Sequence, residues 1–130
     1  MAETLLKQQA LDPTTRLASK FISFSRDGTA STGDVSYTGV GFKPTSIGFF
    51  SCVQGTSYWS HGFVDSAKSG YCIFGNGAGN AYQTSSPISY SNQSSWAQLG
   101  AVKSFDTDGF TLTWTKVGSV PAGTIVLNAI

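Results

Sequence analysis

Any Ser-His-Asp relay in this chain of 130 residues would have to run through His61, its only histidine. Ser57, Ser60, Ser66 and Asp65 lie close to it in sequence. A hydroxyl becomes a nucleophile only when a base takes its proton in a fixed geometry. The Gly-x-Ser-x-Gly turn that presents such a serine is absent, and His61 stands between Trp59 and Phe63 on an alternating segment, the setting of a packed or surface histidine. Two carboxylates facing one bond would suit glycoside hydrolysis, and Asp106 with Asp108 is the obvious pair. Asp106-Thr107-Asp108-Gly109 falls where a hairpin must reverse, and aspartate is favoured there because its side chain bonds the turn backbone. The same run has the start of a calcium loop but not the acidic residue that closes one. Cys52 and Cys72 lack the additional Cys or His at short spacing that a zinc site uses. Gly75-Asn76-Gly77-Ala78-Gly79-Asn80 is followed by no Gly-Lys-Ser/Thr, so it reads as a surface loop and not as a phosphate cradle. The expectation is a protein that is not an enzyme and holds no metal and no cofactor.

Composition narrows the partners. The net charge is +1, and eight basic residues are scattered singly from Lys7 to Lys116. Phosphate binding needs clustered Lys and Arg, so a nucleic-acid partner is not expected. Charged residues make up 12% of the chain, about half the usual ~25% of a soluble domain. Ser, Thr, Asn, Gln and 15 Gly supply the polar surface instead, which suits strands and tight turns better than helices. No apolar run is long enough to span a bilayer, and Met1 to Lys7 has neither the charged nor the apolar part of a secretion leader. A soluble chain made in the cytoplasm is expected, with both cysteines reduced and buried, or joined as a disulfide if their strands are neighbours.

The elements that must position these residues are strands. Phe110, Leu112 and Trp114 alternate with Thr111, Thr113 and Thr115, the period of a strand with one buried and one wet face. Phe21, Ile22 and Phe24 predict a first strand ending at the turn Arg26-Asp27-Gly28. Residues 46–53 predict a central strand, with Phe49 and Phe50 buried on opposite faces. Residues 57–64 and 70–74 predict two more, Ile88 with Tyr90 a short edge strand, and residues 96–105 another. Ile125 to Ile130 ties the end of the chain into a sheet. About eight short strands between turn signals predict an all-β single-domain β-sandwich, jelly-roll-like, over residues 20–130. Residues 1–19 differ: Leu5, Leu6, Leu11 and Leu17 among polar residues allow a short helix stopped at Asp12-Pro13, and the segment reads either as a flexible terminus or, as its leucines favour, as a short N-terminal arm that lies on a neighbouring subunit.

Three stretches also carry a resemblance. Gly39-Val40-Gly41-Phe42-Lys43-Pro44, Ser46-Ile47-Gly48-Phe49-Phe50 and Ser104 to Leu112 resemble small β-rich virion proteins of tailed bacteriophages. That resemblance implies a virion structural protein, made in the host cytoplasm and located on the capsid surface. A capsid decoration, or cement, role follows, with the major capsid protein as partner and a homo-oligomer, by analogy a trimer, as the working unit. Leu5, Leu6, Leu11, Leu17 and Trp96 are the expected capsid or subunit contacts. The alternative is a tail or fibre carbohydrate-binding module for a host glycan. Aromatic faces stack on sugar C–H surfaces, and Tyr58, Trp59, His61, Tyr82 and Trp96 are the candidates for that platform. Against it stands a packing role, in which Trp59 and Trp114 fill the core.

Overall fold

The computed structural model describes residues 18–130. The expected arm contacts Leu5, Leu6, Leu11 and Leu17 lie outside these residues. Ten strands follow one another: β1 (Ile22–Asp27), β2 (Gly33–Thr38), β3 (Ile47–Val53), β4 (Tyr58–Val64), β5 (Gly70–Asn76), β6 (Ala81–Thr84), β7 (Ile88–Ser91), β8 (Ala97–Asp106), β9 (Gly109–Val117) and β10 (Thr124–Ala129). They form two antiparallel sheets, one of six strands in the order β1-β10-β3-β4-β5-β6 and one of four in the order β2-β9-β8-β7. The protein is an all-β, single-domain sandwich.

Period-two patterning builds the core between the sheets. In β9, Phe110, Leu112 and Trp114 point inward and are buried, while the intervening threonines stay more open. In β10, Ile125, Leu127 and Ala129 do the same from the opposite sheet. Phe49 meets Phe110 edge-on across the gap, with ring centroids 5.8 Å apart. The Trp114 indole N–H donates to the Tyr37 hydroxyl at 3.1 Å, and the Arg26 guanidinium lies 4.8 Å from the centroid of the same indole. A buried indole thus finds both a polar partner and a cation over its face.

First and last strands pair, as do second and ninth: Phe24 faces Leu127 and Val35 faces Leu112. Only this nesting corresponds to the jelly-roll-like expectation. Beyond it, β3 to β6 run as a meander in one sheet and β7 to β9 in the other.

Several expectations change. Phe49 is fully buried, but Phe50 is exposed, because β3 has core on one face only. Gly75 and Asn76 belong to β5, not to a loop, and β6 follows them unforeseen. Ile88 and Tyr90 do form the last strand of the smaller sheet, yet every residue of β7 is buried. The reason is close approach to the facing sheet. A β-carbon on Gly70 would lie 3.3 Å from Cβ of Pro87, immediately before β7, and Gly62 sits under the same proline's carbonyl. Small residues let β7 lie almost directly on β4 and β5.

Candidate functional site

The two outer faces of the sandwich differ in kind. On the four-stranded sheet, Asp34 forms an ion pair with Lys103 and accepts from Thr113 Oγ1 at 2.7 Å, while the hydroxyls of Ser36 and Thr111 meet at 2.8 Å. That is a wet surface whose polar groups bond one another. Across the middle of the six-stranded sheet the cross-strand register builds three outward rows. One runs Asn128, Phe50, His61, Ile73, Gln83; the next Val126, Cys52, Trp59, Gly75, Ala81; the third Gly48, Phe63, Tyr71. These rows contain no Lys, Arg, Asp or Glu.

Within them Phe50, Trp59, Phe63, Tyr71 and Ile73 are each 40 to 59% exposed. Neighbouring strands lie about 4.8 Å apart, so the five side chains form one apolar patch rather than scattered singles. Contiguous exposed apolar surface rimmed by polar groups marks contact sites. His61 belongs to the patch, its ring stacked on Phe50 with centroids 4.3 Å apart. Trp59 lies across Gly75, where a β-carbon would come within 2.7 Å of Cδ1 and 2.8 Å of Cε2 of the indole. The indole therefore rests flat on the sheet and shows its other face outward. A shallow hollow beside it is bounded by Cys52, Tyr58, Gly77 and Asn80.

The expected glycan platform divides between two sides of the sheet. Trp59 and His61 are outside. Tyr58 is half-buried on the core side, its ring 5.1 Å from Tyr90 and 5.4 Å from Trp96. Tyr82 is half-buried beside Phe74, at 5.8 Å. Trp96 rests 4.9 Å from Tyr90 and spends much of its surface inside the fold. Trp114 fills the core, but Trp59 does not: it alternates with the inward positions Tyr58, Ser60, Gly62 and Val64 of β4, of which Ser60 and Gly62 are the small ones that lie against Ser89 and Pro87.

No relay assembles around His61. Ser60 points inward, shares a 2.5 Å hydrogen bond with the Ser51 hydroxyl and accepts from the Ser89 amide at 3.2 Å. Asp65 is committed to its turn, accepting from the amides of Ala67 and Ser69 at 3.0 and 2.9 Å. The Asp106 and Asp108 carboxylates are engaged separately. Asp106 accepts from Thr111 Oγ1 and Ser104 Oγ, both at 2.7 Å, and these bonds hold its pKa below the usual carboxylate range. Asp108 accepts from the amides of Gly41 and Gly39 at 2.6 and 3.1 Å, which lowers its pKa likewise. It clamps the loop after β2 onto the β8–β9 turn.

The two cysteines are free and apart. Cys52 is exposed on β3, against the expectation of burial, while Cys72 is buried on β5 with β4 between them. Burial pushes the Cys72 thiol pKa up to about 12, which makes it a poor nucleophile. Among the described residues no three His, Cys, Asp or Glu side chains gather as a metal site.

Phe50 reads in the sequence as buried, and Phe63, Tyr71 and Ile73 carry no expectation of a site there. The signal was present in β4, where large Trp59, His61 and Phe63 alternate with small Ser60 and Gly62. Taken alone, that pattern places the large set in the core. No family model matches this chain, and no curated protein and no solved structure matches it either.

Proposed function

We propose that this chain is a structural docking protein of a bacteriophage virion, acting as a capsid decoration protein that seats the outer face of its six-stranded sheet on the major capsid protein. The observation that carries this is the charge-free patch of Phe50, Trp59, Phe63, Tyr71 and Ile73 on strands rather than loops. Rigid strands hold a flat surface without an ordering cost on contact. Each of these side chains is about half exposed, so covering one recovers roughly 1 kcal/mol, half of the ~2 kcal/mol of full burial. The work is contact rather than turnover, and homo-oligomeric copies at capsid junctions would multiply it by avidity.

The test is cosedimentation of the purified protein with capsids stripped of it. Phe63→Ser with Ile73→Ser should abolish binding and leave the thermal midpoint unchanged, whereas Thr113→Ala on the opposite face should still bind. Retained binding by the double variant would remove this face from the reading.

The second reading, a tail or fibre module for a host glycan, is favoured by one observation: the flat Trp59 ring beside the hollow at Cys52 and Asn80. A glycan array separates the two. Saccharide binding lost in Trp59→Ala would support attachment, and a blank array supports decoration.

A further inference from the structure

At the end of the sandwich where β1 begins and β10 finishes lies a cavity of about 440 Å³. Its floor is apolar and drawn from both sheets: Ile22, Val40, Phe42, Ile47, Phe110 and Ala129. Lys20 and Lys43 stand at its margin together with Ala18 and Ser19. A hollow of this size accommodates several aliphatic side chains. Left to water, an apolar hollow of this kind forgoes the burial that drives the rest of the fold.

We propose that this cavity is the seat of leucine side chains from residues 1–17 of the same chain, with Leu11 as the principal anchor. Three observations converge on that occupant. Residues 18–20 line the cavity, so the preceding segment begins at its mouth. That segment carries Leu5, Leu6, Leu11 and Leu17 among mostly polar neighbours, a pattern with no use in a solvated tail. Residues 12–17 span at most ~20 Å when extended, and Asp12-Pro13 is turn chemistry, so Leu11 has both the reach and the means to come back. Charge agrees: seating Leu11 brings Asp12 to the margin held by Lys20 and Lys43. The same chain is favoured over a second copy because a short tether supplies an effective concentration on the order of millimolar. This seat is independent of the docking face and stands whether or not that face meets a capsid.

Cross-linking in the full chain tests it. In a Cys52→Ser background, Leu11→Cys with Lys43→Cys should oxidise to an intramolecular disulfide, seen as a monomer of altered mobility on a non-reducing gel. Leu11→Cys with Lys116→Cys, at the far end of β9, should not. A disulfide between chains would overturn the proposal in favour of a neighbour's arm, and no disulfide at all would overturn it outright. Independently, Leu11→Ser should lower the thermal midpoint by roughly 5 °C, the shift of a ~1 kcal/mol loss in a domain of this size. An unchanged midpoint would also overturn it.

Discussion

The indole of Trp59 lies flat on Gly75, its cross-strand partner, at a distance that leaves no room for a β-carbon. One glycine therefore sets the attitude of the largest side chain on the outer face of the six-stranded sheet. Tyr58 uses the next one: a β-carbon on Gly77 would lie 2.7 Å from Cζ of its ring, and Gly77 adopts φ of +79°. The glycine-rich stretch after Phe74 is thus a bed for two aromatic rings as well as a turn. Gly75→Ala should tilt Trp59 off the sheet and destabilise the fold by about 1–3 kcal/mol through overpacking. The same substitution in a Trp59→Ala background should cost little, because the clashing partner is gone. Denaturant unfolding of the four proteins of that cycle measures the coupling, and additive losses would refute it.

Period-two patterning made much of the fold legible. Phe110, Leu112 and Trp114 on β9 and the apolar run of β10 read inward and lie inward, because nothing but alternation decides their side. The face of β4 did not read, because its side is decided at long range. The backbone before β7 comes so close that a β-carbon at Gly62 would collide with the Pro87 carbonyl oxygen, and this forces Trp59, His61 and Phe63 outward. Hydrophobicity alone ranks a tryptophan inside. β6 was missed for a related reason, since Ala81-Tyr82-Gln83-Thr84 is a short edge that pairs only with β5. Asp106 and Asp108 read correctly as residues near a turn, but that Asp108 reaches the amides of Gly39 and Gly41, 67 or more positions away, has no local signature.

That clamp makes stability depend on acid. Asp108 is held below the usual carboxylate range by the Gly41 and Gly39 amides, and Asp106 by the Thr111 and Ser104 hydroxyls. Unfolded aspartates titrate near ~3.9. A group with a depressed folded pKa stabilises fully above the unfolded value and loses that contribution as pH falls through the folded one. The thermal midpoint should therefore be flat from about pH 8 to 5 and should fall below about pH 4. Asp108→Asn should have a lower midpoint at neutral pH and a shallower acid limb. An Asn variant with the parent's acid profile would show that the clamp contributes nothing.

The cysteines should behave as two different residues. Cys52 is exposed on the outer face of the six-stranded sheet, whereas the Cys72 thiol is buried with its pKa pushed up to about 12. A maleimide at pH 7.5 should label Cys52 alone in the native protein, and both only after denaturation. Mass spectrometry of the labelled peptides reads this directly. If the face docks on a capsid, Cys52 should also become protected in the decorated particle while remaining reactive in the free protein. Labelling that is equal in both states would place Cys52, and with it the row through Trp59, outside the contact.

Among the described residues Gln98, near the start of β8, is the one fully buried amide side chain, and its position ties a turn to a sheet. Its Nε2 donates to the carbonyls of Gly28 at 3.0 Å and Ala30 at 2.9 Å, in the turn between β1 and β2. Those two strands belong to different sheets, so the side chain holds the crossover against the middle of the sandwich. Gln98→Leu keeps most of the volume but leaves two acceptors without a donor. A buried polar group deprived of its partner costs ~1–3 kcal/mol, more than lost contact area would predict for so similar a shape. Gln98→Glu should be worse still at neutral pH, because its carboxylate would face the two carbonyls with no donor to offer. Denaturant unfolding should therefore rank the variants parent, Leu, Glu in falling stability. A Leu variant as stable as the parent would mean that water satisfies the turn and that apolar packing alone fixes the crossover.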